Sequence, residues 1–302
     1  MMFPAGLQFL QTTQNADGGW GAVPDRQSNT EATALALLAL ASCPEAKAGH
    51  IERGLQWLID LQNADGSWPL HRNTSYGSWT TALATLALVS FDDQRARAIR
   101  GARWLLGHRG RGLGWLASLA YRLVPDKMAV QLDPDLRAWS WTTDGFSWVE
   151  PTAYALIALK RLNADVGGSA GPHIREAERL LYDRMCSGGG WNHGNSNAYG
   201  VAIPPYPETT ALALIALQDR EAEAPNRASL GRLVAMLAEA ESGLSLSLAI
   251  LCFSVRGQDV GVWQRRLSRC YARSGFLEET RVVALALLAL SERISPFRLA
   301  QR

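Results

Sequence analysis

Two kinds of hydrophobic pattern alternate along the chain. One is amphipathic: "HIREAERLLYDRM" (His173–Met185) sets charges on one helical face and leucines on the other. The other is apolar nearly all round and rich in Ala. It recurs as "TALALLAL" from Thr33, "TALATLAL" from Thr81, "TAYALIAL" from Thr152, "TALALIAL" from Thr210 and "VALALLAL" from Val283, with "LSLSLAIL" from Leu244 as a degenerate copy. A helix of the first kind needs cover on one side, and a helix of the second kind on both. Six alternations therefore predict six helical hairpins, with the apolar members as an inner ring and the amphipathic members outside. The expected fold is all-α, a single α/α toroid or (α/α)6 barrel over residues 1–302.

A second repeat marks the junctions. "GLQFLQTTQNADGGW" (Gly6–Trp20) and "GLQWLIDLQNADGSW" (Gly54–Trp68) are close copies in which an aromatic is followed eleven residues later by Trp. Trp104 to Trp115 keeps that interval, and Leu180 to Trp191 keeps it with Leu for the aromatic. Asn and Gly in "NADG" end the outer helix, and Trp is expected to pack back over the turn. From Trp to the Thr of the inner helix the count is 13 at Trp20 and at Trp68, but 37 at Trp115 and 19 at Trp191. This predicts insertions of 24 and 6 residues, the longer one spanning residues 116–150, at the mouth where all the inner helices begin.

These loops hold the candidate chemistry. The first contains Trp139, Trp141, Phe146, Trp148 and Glu150, and the second Trp191, His193, Tyr206 and Glu208. Aromatic faces over an Ala/Leu-lined channel suit a long apolar ligand and stabilise cations by ~0.5–2 kcal/mol each. Glu31, Glu150 and Glu208 each stand just ahead of an inner helix, where a first-turn acid also satisfies orphan N–H groups. Capping accounts for Glu31, whose loop is short. For Glu150 and Glu208 it competes with a role as acids at the mouth.

Composition narrows the partners. With 47% apolar residues the chain buries a large core, and a net charge of +2 supports no nucleic-acid partner. Cys43, Cys186, Cys252 and Cys270 are widely spaced and read as reduced thiols, and no signal peptide or membrane span is evident, so a cytoplasmic location is expected. The Arg-rich outer segments "QRARAIRGARWLLGHRGRG" and "WQRRLSRCYAR" read as solvated faces, with acidic phospholipid as the sharper alternative. "GLGWLASLAYRLV" (Gly112–Val124) reads as an extra apolar helix that covers the mouth or meets a membrane surface. The sequence does not speak to oligomeric state.

The Trp repeats and the "PTAYALIAL" and "TTALALIAL" helices resemble the terpenoid cyclase and protein prenyltransferase superfamily over nearly the whole chain. "WVEPTA" falls in the register of the acidic D-x-D-D-T-A motif with which squalene–hopene cyclase-like enzymes protonate an alkene. The resemblance puts Glu150 at the proton-donating position, with Thr152 and Ala153 matching and Trp148 and Pro151 replacing flanking acids. Those cyclases enclose their cavity with two toroids, and this chain has the length of one. In protein prenyltransferases a zinc is held by Asp, Cys and His, whose positions correspond to Glu150, Thr152 and Glu208. Without thiolate and imidazole a zinc site is not expected, so no cofactor is implied. A divalent metal on Glu150, Glu208 and His193 is the alternative.

The expectation is an isoprenoid-acting enzyme with Glu150 as general acid and Glu208 as its partner or a cation stabiliser. Trp139, Trp141, Trp148, Trp191, His193, Tyr206 and Thr152 would line the substrate. A non-catalytic lipid-binding scaffold and a carbohydrate-active toroid are the alternatives, the latter disfavoured by apolar walls.

Overall fold

The computed structural model describes residues 2–112, 114–124, 130, 132–142 and 144–299. Six outer helices lead the hairpins: α1 (Met2–Thr12), α3 (Ala48–Leu61), α5 (Arg95–Gly107), α8 (Gly171–Asp183), α10 (Ala224–Leu237) and α12 (Gly261–Ser274). Their apolar partners are α2 (Thr30–Ala41), α4 (Thr80–Leu88), α7 (Val149–Leu162), α9 (Pro207–Ala216), α11 (Gly243–Ser254) and α13 (Thr280–Leu290). A further helix, α6 (Trp115–Leu123), stands between α5 and α7. The inner helices touch in the order α2, α4, α7, α9, α11, α13, and α13 returns to α2 to close the ring. Each outer helix packs mainly on the inner helix that precedes it around the ring: α1 on α13, α3 on α2, α5 on α4, α8 on α7, α10 on α9 and α12 on α11. The expected six-hairpin toroid is thus present.

Inner helices contain few residues that meet water. Ala34 to Leu37 and Ala211 to Ile215 are buried on every side, which is why these segments carry no amphipathic stripe. Small Ala side chains let the helices approach, and Leu fills the space between them. At the mouth the hairpins are stitched by backbone bonds. Thr30 N–H donates to Leu70 O at 2.9 Å, Val149 N–H to His193 O at 3.0 Å, and Thr280 N–H to Ala22 O at 2.9 Å, the last joining the final hairpin to the first.

The repeated Trp is a structural bolt. Its indole N–H donates to a carbonyl near the end of the outer helix: Trp20 to Leu10 at 2.8 Å, Trp68 to Leu58 at 2.8 Å, Trp191 to Leu181 at 2.5 Å. Its backbone N–H donates to the inner-helix threonine: Trp20 to Thr33 at 3.0 Å, Trp68 to Thr81 at 3.0 Å, Trp191 to Thr210 at 2.9 Å. The bolt of the third hairpin is Trp139, not Trp115. Trp139 donates to Leu105 O at 3.0 Å and to Thr152 Oγ1 at 3.2 Å. Trp115 keeps the sequence interval by coincidence; it opens α6 and is 76% exposed.

This corrects the boundaries of the long insertion. Trp139 to Thr152 has the standard 13-residue spacing, so the aromatic-rich stretch after Trp139 is an ordinary repeat loop. The additional residues precede it, as an excursion whose neck closes where Gly110 N–H meets Ala138 O at 2.7 Å. That excursion docks sideways on α8, through Arg109 to Glu176 and Arg137 N–H to Glu176 Oε1 at 3.1 Å. Residues 113, 125–129, 131 and 143 of the predicted insertion region lie outside the described residues. The shorter insertion forms a hairpin of β1 (Asn197–Ala198) and β2 (Val201–Ala202), and Val130 bridges to Ala198, joining the two insertions.

On α6, Trp115, Leu116, Leu119 and Leu123 are exposed, and no described helix is long and apolar enough to cross a membrane. Some arginines of the basic outer helices brace neighbouring hairpins: Arg100 donates to Ala64 O at 3.0 Å and Arg266 to Leu237 O at 2.5 Å.

Candidate functional site

The second residue of four inner helices carries charge: Glu31 on α2, Glu150 on α7, Glu208 on α9 and Arg281 on α13. Helical starts at one end of a ring bring these side chains to one mouth. Arg281 Nη1 lies 3.0 Å from Glu31 Oε1 and 3.2 Å from Glu150 Oε1, so one guanidinium serves two carboxylates. Glu208 accepts a hydrogen bond from Ser245 Oγ at 3.0 Å, from the first turn of α11. On α4 the first turn is preceded by Trp79 instead of a charged group.

Burial dominates the electrostatics. The Glu150 side chain is 12% exposed. Burial pushes its carboxyl up to about 7; Arg281 draws it down, and Glu31 and Glu208 add to the rise. Burial works against the Arg281 charge, yet Glu150, Tyr154 and Glu31 hold its pKa above the usual guanidinium value. Tyr154, one helical turn beyond Glu150, is fully buried and held neutral by that burial. The mouth therefore contains a carboxyl that exchanges its proton near neutral pH, beside a permanent cation.

Below this cluster the ring is filled. Trp79 meets Trp141 edge-on at 4.7 Å between ring centroids and Tyr154 at 6.3 Å. Tyr154 in turn meets Phe297 at 6.4 Å. Between the outer helix α5 and the inner helices α4 and α7, a small cavity of about 20 Å³ borders Trp79, Trp104, Leu105, His108 and Ala155, room for about one water. Where an open apolar channel is expected, Trp141, Trp79, Tyr154 and Phe297 form an aromatic column.

The sequence-predicted residues divide accordingly. Glu150 and Glu208 share the mouth and influence one another electrostatically. Trp141 joins the aromatic column. Trp139, 3% exposed, and Trp191, fully buried, are repeat bolts whose indoles are hydrogen-bonded to the outer helices. Thr152 is likewise engaged: its hydroxyl donates to Trp139 O at 3.2 Å. Trp148 caps α7 through its carbonyl, which accepts from Thr152 N–H at 3.2 Å. His193 is exposed with its ring 5.4 Å from Tyr206, and no hydrogen bond or ion pair joins it to either glutamate. Capping of α2 falls to Asn29, whose side chain accepts from Ala32 N–H at 2.8 Å, so Glu31 is freed for Arg281. Arg281, Tyr154 and Trp79 were missed. The repeat register itself locates Arg281, two residues before Val283 as Glu150 is two before Thr152.

Residues 1–78 match the family model of the squalene-hopene cyclase C-terminal domain, a span that includes both close Trp-repeat copies. A variant of the type II terpene cyclase MstE from Scytonema, in complex with its substrate geranylgeranyl dihydroxybenzoate, superimposes with a TM-score of 0.51. It shares 18% identity, over 98% of this chain and 79% of that one. The chain has the terpene-cyclase toroid fold. A protein from Actinoplanes is similar at a TM-score of 0.58 and 18% identity, covering 96% and 97% of the two chains. The toroid shape also occurs in Salmonella alpha-2-macroglobulin, with a TM-score of 0.54 and 14% identity over 96% of this chain and 18% of that one. No curated protein matches the sequence. The resemblance to the terpenoid cyclase superfamily is thus borne out.

The donors at this toroid mouth do not suit the prenyltransferase zinc. Thr152 is locked to Trp139, Glu150 faces Arg281, and no thiolate or imidazole stands at those positions. Among the described residues, no group of three His, Cys, Asp or Glu side chains is arranged to hold a metal ion.

Proposed function

We propose that the protein acts on an isoprenoid, with Glu150 as the general acid at the toroid mouth. The observation that carries this reading is the Glu150 carboxyl itself, pushed up to about 7 by burial and lying against Arg281. An acid that is partly protonated at neutral pH is suited to proton transfer. In the proposed step the Glu150 proton forms a C–H bond with a terminal alkene carbon. The alkene π pair makes that bond, leaving a tertiary cation at the neighbouring carbon, and the next alkene's π electrons close a ring onto it. The final cation loses a proton to water to form an alkene, and the Glu150 carboxylate is reprotonated from solvent. Arg281 would stabilise the carboxylate left on Glu150, and Trp79 and Trp141 would face the cation. Glu208, held by Ser245, is the proposed partner acid or cation stabiliser.

The test is incubation with farnesyl-, geranylgeranyl- and squalene-type isoprenoids, with extracts analysed by mass spectrometry. A cyclised product that disappears in Glu150→Gln is the expected result, and loss of roughly two or more orders of magnitude in rate fits a removed general acid. A product unaffected by that substitution would sink the assignment.

A second reading, a non-catalytic lipid-binding scaffold, draws on the filled lumen and on the exposed apolar side chains of α6. Bound lipid recovered without turnover, equally from the parent protein and Glu150→Gln, would favour it.

A further inference from the structure

The floor of the toroid is not made by the ring helices. After α13 the chain turns across the end opposite the mouth, running from Ser291 to Leu299 over the C-terminal ends of the inner helices. Its hydrogen bonds run to residues at or just past the inner-helix ends, and Phe297 and Leu299 pack on the core. Ser291 Oγ donates to Ser42 O at 2.9 Å, just past α2, and Arg161 near the end of α7 donates to Pro296 O at 2.6 Å. Gln218, just past α9, donates to Phe297 O at 2.9 Å and accepts from Leu299 N–H at 3.0 Å. Within this partly exposed strap, Phe297 is 1% exposed and directed inward to Tyr154. Of the strap's large apolar side chains, Ile294 is exposed and Leu299 is half-buried, so Phe297 alone is fully buried, against Tyr154.

We propose that the strap 291–299 is a removable plug, and that Phe297 occupies the place where a bound apolar chain would lie. The proposal rests on the reading of the ring as a ligand-binding lumen. Three features support it. The ring closes through the inner helices alone, so the strap is not required to complete it. The column from Trp141 through Trp79 and Tyr154 to Phe297 connects the mouth to the strap, and Phe297 is its member at the end away from the mouth. The strap's hydrogen bonds are of a kind that water replaces at little net cost, whereas the apolar surface of Phe297 requires an apolar substitute. A long apolar chain provides one. The plug therefore sets how much of the lumen a ligand can enter, and it makes ligand entry and strap release one coupled event.

Dodecanol is a suitable probe because it is apolar, unreactive and contains no isoprenoid double bond. Its binding is measured by tryptophan fluorescence to the full chain, to Phe297→Ala and to the milder Phe297→Leu, together with hydrogen exchange of residues 291–299. The expected affinities rise in the order parent, Leu, Ala, with roughly tenfold between the first and last. Saturating dodecanol is expected to speed exchange of the Leu299 amide in the parent protein. Equal affinities in the folded proteins, no binding by any of them, or binding without faster exchange overturns the plug. So does a gain for benzene with none for dodecanol, which indicates a mere cavity left by the truncated ring. If Phe297→Ala does not fold, the Leu variant and the exchange measurement decide. Dodecanol bypasses the chemistry, so a plug that behaves as expected while no isoprenoid is converted leaves the plug standing and rejects the enzymatic reading.

Discussion

Glu150 and Thr152 are two residues apart on α7 and do different work. Glu150 is a buried acid whose pKa is raised in the folded state to about 7, from an ordinary value of 4.5. Between those values the folded protein binds more protons than the unfolded chain, so stability falls as pH rises through that window. The full penalty is present above the folded value, on the order of 3 kcal/mol. Urea unfolding at pH 5 and pH 8 should therefore show the parent protein losing stability across the interval relative to Glu150→Gln. A constant difference between the two would contradict the raised pKa. Thr152 instead clamps the Trp139 backbone on both sides. Thr152→Val conserves shape but leaves the buried Trp139 N–H without a partner. A loss of about 1–3 kcal/mol in unfolding free energy is expected.

At the scale of elements, the toroid is joined turn by turn. Asp17 in the first junction accepts from Ser28 Oγ at 2.7 Å, from Gly19 N–H at 3.1 Å, and from the indole of Trp57 on α3 at 2.9 Å. Asp65 repeats the arrangement with Ser67 and with Trp104 on α5. This explains the Trp at positions 57 and 104 of the repeat: each bonds to the junction before it. Burial alone would raise the Asp17 pKa, but these hydrogen bonds outweigh it and leave the group below its ordinary value. Its contribution is present above the unfolded pKa and is lost as pH falls through the folded one. Asp17→Asn should thus be less stable than the parent at neutral pH. The gap should close in acid, below the ordinary carboxylate range, as followed by thermal melts. A gap that persists at low pH would mean packing, not charge, is responsible.

For the molecule as a whole, the ring carries its charge at one end and its plug at the other. The mouth brings Glu31, Glu150, Glu208 and Arg281 together only because six helices start at the same level. The opposite end is closed by the strap, so the lumen has two unlike boundaries: a titratable one and a removable one. That asymmetry is what turns a repeat architecture with near-identical inner helices into a molecule with a direction.

The number of hairpins, their inner and outer assignment and the candidate acids Glu150 and Glu208 were legible in the sequence. Each depends on local periodicity: an all-apolar helix must be covered on both sides wherever it lies. The place of Trp139 was not legible, because Trp115 satisfies the same linear interval, and only the hydrogen bonds to Leu105 and Thr152 tell them apart. Nor was the Arg281 pairing, which joins residues at the two ends and the middle of the chain. The filled lumen depends on Phe297 folding back against Tyr154, a contact between segments far apart in sequence. Periodicity reports what a segment needs around it. Ring closure alone determines which particular side chains meet.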